Sequence, residues 1–399
     1  MKKNKNPKKY FDIFKKKNLV FFDNSASTLK PKVVCDAVDY YNRFESANAG
    51  RGVYRLSYEV TKKVETSRQK IKQFFGASNF ELAFTKNTTE GINLVALGFL
   101  EKMLKEGDEI VISRLEHNSN YLAYLALANK KGAQLKFVET DDSGHITKEE
   151  FEKVLTPKTK FVALTLVSNT FGTKTQIKEI ALVCKQKNIA ILVDGSQASA
   201  HFKINLDELN VDFFVFSGYK MFAPTGVGGL LINKAVANEI DPVCFGGGMV
   251  LDVVAEQIET KDLPHRLEAG TLPIGDIIGL GAAVDFITDI GFDYIEAREN
   301  ELKEYFLKKF CELDGVVIYN KNPDVPIFLF NLNGVHAHDA ATMYDDFNII
   351  LRAGNHCALL VNNALNEIAT LRASLSFYNT FKDVDNFIFA TKQIYKFFK

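Results

Sequence analysis

Short apolar runs at 82–85, 109–113, 135–138, 161–166, 190–193, 213–216 and 229–232 alternate with stretches whose apolar residues fall at helical spacing. A run that is apolar throughout reads as a strand buried on both faces. Strands separated by helices read as a mostly parallel sheet with helices on either side. The stretches 120–130 and 177–187 supply such helices. An earlier helix over 61–75 carries Val64, Ile71, Phe74 and Phe75, and stops at Gly76, which tolerates the left-handed turn of a helix end. After about Gly275 the pattern changes to long helices at 277–288 and 294–313, short strands at 316–319 and 327–332, a helix near 340–347 and a last helix from Lys382. The expected division is a lysine-rich arm over 1–20, a large α/β domain over 21–275 and a smaller α+β domain over 276–399.

Composition adds little against this picture. Of 399 residues, 46% are hydrophobic and 25% charged, so a large core is possible. Lys plus Arg and Asp plus Glu both number 49, so the overall field favours no nucleic acid partner. Residues 1 to 17 are the exception, with eight lysines and the single acid Asp12. They read as a solvated, partly disordered arm. They lack the apolar stretch of a secretory signal, and no run approaches the roughly 18 apolar residues of a membrane helix. Cys35, Cys184, Cys244, Cys311 and Cys357 are scattered, with no C-x-x-C pair. That pattern fits a reducing cytoplasm, with most thiols expected to fill core space.

The candidate chemistry gathers where apolar runs end. Ala-Ile-Leu-Val-Asp194 leads into Gly195-Ser-Gln197, and Phe-Phe-Val-Phe216 leads into Ser217-Gly-Tyr219-Lys220. Parallel sheets bind ligands at the carboxyl ends of their strands. An acid and an amine placed there suit pyridoxal phosphate, which needs a lysine for its covalent attachment and a carboxylate for its ring nitrogen. The commoner meanings are a turn-capping acid and a snorkelling surface lysine. Thr88 and Thr89 fall between a strand and a helix, where either can cap the helix while free N–H groups and hydroxyls face an anion. Gln197 can reach across a bound ring, and Ser217 offers a hydroxyl to phosphate. His117 follows the strand 109–113 and can stack on a planar ring; Asn169 ends the strand after 161–166. Arg372 precedes small residues and suits a carboxylate clamp, as does Arg352. Cys357 lies in the polar loop Ala353-Gly-Asn-His-Cys357, where a positive His356 would favour thiolate; burial is the usual fate of a free cysteine. His336-Ala-His338-Asp339 looks like a metal cluster but reads better as a helix start.

Taken in order, Phe22 to Ser27, Thr88 to Val95, Val193 to Gln197, Val215 to Lys220, Leu267 to Thr271, Arg352 to Cys357 and Arg372 to Thr380 resemble the class V aminotransferase superfamily, and within it cysteine desulfurases of the SufS/CsdA type. The resemblance covers nearly everything but the arm. It implies fold type I of the pyridoxal-phosphate-dependent transferases and conversion of L-cysteine to L-alanine, with sulfur left as a persulfide on Cys357. Lys220 would carry the cofactor, Asp194 would pair with its ring nitrogen and His117 would stack on it. Asn169 and Gln197 would orient it, Thr89 and Ser217 would hold its phosphate, Thr88 and Tyr219 would also contact the cofactor, and Thr271 would reach the site of the other subunit of a homodimer. Arg372 would hold the substrate carboxylate, with Asn169 and Arg352 beside it. The short spacing between Arg352 and Arg372 resembles members that pass sulfur to a SufE-like partner in iron–sulfur cluster assembly. Departures from the family pattern are Tyr219 for a histidine, Gly50 for a histidine and Asn355 in the cysteine loop. They leave selenocysteine, cysteine sulfinate or a transamination substrate as alternatives, and a non-catalytic scaffold as the reading of another class.

Overall fold

The computed structural model describes residues 6–16, 18–50 and 52–399. Strands β1 (Phe80–Thr85), β2 (Glu109–Ser113), β3 (Gln134–Val138), β4 (Thr159–Thr165), β5 (Ala190–Asp194), β6 (Phe213–Ser217) and β7 (Gly228–Asn233) form a seven-stranded sheet in the order β1-β7-β6-β5-β4-β2-β3. Strands β2 to β6 pair in parallel, whereas β7 runs antiparallel to both β1 and β6. Successive side chains of a strand alternate between faces, and the two cores follow that period. Val162, Leu164, Ile191, Val193, Phe214 and Phe216 pack on one side, and Phe161, Ala163, Leu192, Phe213 and Val215 on the other.

Helices α1 (Lys32–Phe44), α2 (Arg55–Phe74), α3 (Thr88–Val95), α4 (Asn118–Lys131), α5 (Ile177–Gln186), α6 (Ile274–Ile290) and α7 (Phe292–Phe310) follow in chain order. Helix α6 packs on α1 and α2, and a division at residue 275 falls in its first turn. A second sheet contains β8 (Val316–Ile318), β9 (Ile327–Leu332), β10 (Arg352–Gly354) and β11 (Thr370–Ser374) in the antiparallel order β8-β9-β11-β10. Its core is aromatic: the Phe306 ring of α7 lies 4.0 Å from the Phe328 ring, stacked at 11°. The early segment Val20–Phe21 pairs with Ile349–Ile350, and Asp23 bridges to Ser374, so the N-terminal chain joins this second unit.

Two expectations are corrected. Residues 7–15 dock by their apolar side while Lys9, Asp12 and Lys15 stay exposed: Phe11 is 2% exposed and lies 4.7 Å from the Tyr378 ring, and Lys8 pairs with Asp383 at 2.7 Å. Apolar burial by Tyr10, Phe11 and Phe14 outweighs the repulsion among the lysines around them. The lysines at 2, 3, 5 and 17 lie outside the described residues. Among the cysteines only Cys184 is buried; Cys35, Cys244, Cys311 and Cys357 are exposed, because each falls on a solvent-facing helix position or loop. His336 does start a helix, accepting from His338 N–H at the first turn of Ala337–Asp346.

Candidate active site

The carboxyl ends of β5 and β6 bring Asp194 and Lys220 to one edge of the large sheet. Asp194 closes β5, and its Oδ1 accepts from Ser196 N–H at 2.9 Å. The chain turns away at Gly195, where a Cβ would sit 1.9 Å from the Phe214 ring. Lys220 ends a tight turn over Gly218–Lys220, directly after β6, and is buried. Burial disfavours its charged form and lowers its pKa to about 8; Asp194 opposes that shift and Arg372 adds to it.

The hydroxyl groups gather at the start of α3. Asn87 caps this helix, accepting from Glu90 N–H at 3.0 Å, which corrects the expectation that Thr88 or Thr89 would do so. A capping side chain at Asn87 leaves Thr88 Oγ1 free to lie 2.6 Å from Ser196 Oγ and 2.8 Å from Ser217 Oγ. Thr88 N–H donates to Ser217 Oγ at 2.9 Å. Three hydroxyls beside first-turn N–H groups make a donor cradle for an anion. Thr89 turns outward, its hydroxyl 2.7 Å from Ser119 Oγ. Tyr219 is half-buried; burial raises its phenol pKa, and Ser217 lowers it.

His117 caps α4, its Nδ1 accepting from Ser119 N–H at 3.1 Å. Burial, with Lys220 and Arg372 nearby, lowers its pKa to about 3, so the ring stays neutral. Behind it Glu116 is fully buried and bonded to Ser113, Asn120 Nδ2 and Thr165 N–H. Burial raises its pKa to about 7. Its signal in the sequence was a charge next to the histidine at a strand end.

From the second sheet, Arg372 on β11 faces Arg352 on β10 in register. Arg372 donates through Nη1 to Asn169 O at 2.9 Å and through Nη2 to Asp23 Oδ1 at 3.4 Å. Asn169 Nδ2 donates to His356 O at 2.8 Å, and Gln197 Nε2 to Ser25 O at 2.7 Å. Thr28 Oγ1 and Lys30 Nζ both donate to Tyr219 O, each at 3.0 Å. The segment 23–30 thus threads beneath the site and holds Gln197, Tyr219 and Arg372, although the strand-end pattern pointed to no residue of the segment itself.

Cys357 is exposed and shares a 560 Å³ cavity with Thr89, His117, Asn118 and Ser119. Its loop is strained: His356 at φ 52° and Cys357 at φ 53° both occupy the left-handed region. The Cys357 carbonyl accepts Asn118 N–H at 2.6 Å, tying the loop to the start of α4. His356 does not supply the expected positive charge beside the thiol. It is buried, its Nε2 lies 3.0 Å from Thr370 Oγ1, and burial lowers its pKa to about 2. Thr271 lines a different cavity, with Gly50, Arg68, His265 and Glu268. In one copy of the chain it stays apart from the other site residues.

A buried amine of lowered pKa, a carboxylate at the next strand end and a hydroxyl cradle at a helix start form a donor set that fits an anionic aldehyde cofactor such as pyridoxal phosphate. The chain belongs to the class V aminotransferase family, whose model, Aminotransferase class-V, matches residues 20–387. A probable cysteine desulfurase of Halalkalibacterium halodurans is 43% identical over 368 residues, covering 92% of this chain and 91% of that protein. The apo structure of cysteine desulfurase from Thermococcus onnurineus superimposes with a TM-score of 0.94 at 36% identity, covering 99% of this chain and 100% of that one. The S-sulfonic acid form of the Escherichia coli cysteine desulfurase CsdA gives a TM-score of 0.90 at 28% identity, covering 98% of each chain. The fold is the type I fold of pyridoxal-phosphate-dependent enzymes.

Proposed function

We propose that this protein is a pyridoxal-phosphate-dependent cysteine desulfurase that converts L-cysteine to L-alanine and carries the sulfur on Cys357. The observation that carries this reading is an exposed thiol, on a strained loop tied to α4, in the same cavity as His117. Lys220 would hold the cofactor and, with a pKa near 8, exchange protons with substrate near neutral pH. Thr88, Ser217 and the α3 N–H groups would receive the phosphate, with Thr89 and Tyr219 at its edge. Asp194 would face the ring nitrogen, and neutral His117 would cover the ring without adding charge. Gln197 and Asn169 would fix the orientation. When bound, the cofactor supplies an electron-poor ring that takes up charge from the substrate α-carbon. Arg372, held by Asn169 and Asp23, would clamp the carboxylate and leave the substrate sulfur towards Cys357. The Cys357 thiolate then bonds to that sulfur as the substrate Cβ–S bond breaks, its electron pair staying with carbon, which is protonated as alanine forms.

The reading extends to assembly. The exposed apolar hairpin Val250–Val254/Gln257–Thr260 and the separate placement of Thr271 support a homodimer in which Thr271 serves the partner's site. Transfer to a SufE-like acceptor protein, a role in iron–sulfur cluster assembly and a cytoplasmic location belong to the same proposal. So does a division into a large unit and a smaller C-terminal one near residue 275, with residues 20–23 joined to the smaller. Among the described residues no helix is long and apolar enough to cross a membrane. The test supplies cysteine, selenocysteine and cysteine sulfinate separately to wild-type and Cys357→Ser protein and measures alanine. Cysteine turnover should collapse in the variant, while selenide and sulfinate release largely persist. Undiminished cysteine turnover in Cys357→Ser overturns the reading.

A further inference from the structure

Asn118 is the first helical residue of α4, next to His117, which caps the helix. The first N–H groups of a helix have no partner inside it. That of Asn118 donates to Cys357 O at 2.6 Å. The Asn118 side chain returns to the same loop, where its Oδ1 accepts from Leu359 N–H at 3.2 Å. Leu359 opens the short helix Leu359–Leu365, so its N–H also lacks a partner within its own helix. One asparagine thus bonds the chain at the thiol residue and again two positions beyond it. The carbonyl before the thiol residue, His356 O, is taken by Asn169 Nδ2 at 2.8 Å. Cys357 N–H closes within the loop on Asn355 Oδ1 at 3.2 Å. Two successive left-handed residues that are not glycine persist only where their surroundings hold them, and the bonds from Asn118 and Asn169 do so here.

We propose that Asn118 is a positioning residue for sulfur abstraction: it registers the Cys357 loop against α4 and so holds the thiol at a fixed place relative to His117. The inference rests on the desulfurase reading of this site and names the residue that aims its nucleophile. Cys357 is exposed, so packing alone does not fix its place. His117, Asn118 and Cys357 line one cavity. A ring covered by His117 and a thiol tied to the next residue along the chain keep one spacing, which a displaced loop would lose. A misplacement of about 1 Å can slow a reaction roughly a hundredfold. Asn118 acts on the step that Cys357 performs, because both of these bonds go to the loop and neither to Lys220 or Arg372.

The test uses cofactor-loaded wild-type, Asn118→Ala and Asn118→Asp proteins. Alanine is a good helix former and keeps the N–H that donates to Cys357 O, so Asn118→Ala loses the Leu359 bond alone. A neutral hydrogen bond is worth about fivefold in a population. Rapid quenching of the first turnover should show alanine formation from saturating L-cysteine slowed about fivefold or more in Asn118→Ala, with the half-saturating concentration within about twofold of wild type. Alanine formation from L-selenocysteine, which is expected to proceed without Cys357, should stay within about twofold. Hydrogen exchange followed by mass spectrometry supplies a readout besides activity. Amides of residues 355–360 should exchange about fivefold faster in Asn118→Ala, whereas Asn118→Asp, which keeps the acceptor oxygen, should match wild type within about twofold. Equal losses on cysteine and selenocysteine, or unchanged exchange in Asn118→Ala, overturn the proposal. A wild-type protein that fails to release alanine from cysteine sinks the desulfurase reading instead, and the exchange rates still decide whether Asn118 holds the loop.

Discussion

Acid should destabilise this protein through the histidine beside its thiol. His356 is 5% exposed, lies 3.1 Å from Thr370 O through Nε2, and leaves Nδ1 with no partner among the described residues. Burial and the two neighbouring arginines hold its pKa at about 2, whereas a histidine in the unfolded chain titrates near 6.5. The unfolded state therefore takes up the proton first. Stability contributed by the neutral ring is complete above about pH 6.5 and falls as pH drops towards the folded value. Each pH unit in that window costs about 1.4 kcal/mol, so by about pH 4.5 the loss reaches roughly 2.7 kcal/mol. His117, held at about 3, adds a similar slope, and carboxylates add their own. A His356→Asn comparison isolates the term of interest, because asparagine tolerates the left-handed backbone and never titrates. Urea unfolding of both proteins at several pH values between about 7.5 and 4.5 gives the two slopes. The variant should lose stability more slowly on acidification, by close to one proton's worth. Parallel slopes would refute the inference that His356 is buried in its neutral form.

Further outcomes concern the docked N-terminal turns, the hydroxyl cradle and the amine. Phe11→Ala should cost about 3 kcal/mol in urea unfolding, since the ring is fully buried among aromatic neighbours; a solvated arm would give no change. Thr88→Val removes the hydroxyl shared with Ser196 and Ser217 and should weaken cofactor retention roughly tenfold in dialysis followed by absorbance. In cofactor-free protein, pulse acetylation read by mass spectrometry should give Lys220 a half-maximal rate per accessible amine near pH 8, as its pKa implies, while exposed lysines rise at higher pH. A Lys220 profile matching the surface lysines would count against its burial.

The sequence was most legible where local pattern and burial coincide. Strand 327–332 was read at its observed bounds, and Asp194 and Lys220 stood out because uninterrupted apolar runs stopped beside them. The role of segment 23–30 was not legible, since its contacts span most of the chain: Gln197 to Ser25 crosses 172 positions and Arg372 to Asp23 crosses 349. His356 misled for a similar reason. Adjacency in sequence put it beside Cys357, but two successive left-handed residues turn its ring inward to Thr370. Near the N-terminus the lysines dominated the composition, although Phe11 and Phe14, one turn apart, already marked an apolar edge.

The pairing of Val20–Phe21 with Ile349–Ile350, and of Phe22 with Ser374, has a consequence for synthesis. These early residues leave the ribosome long before the strands that receive them exist. The large sheet can assemble during translation, but Arg372 can meet Asp23 and Asn169 only after β11 has emerged. A chain interrupted before residue 349 would hold all seven strands of the large sheet but no partner for Val20–Phe21, and nothing to bring Arg372 to Asp23.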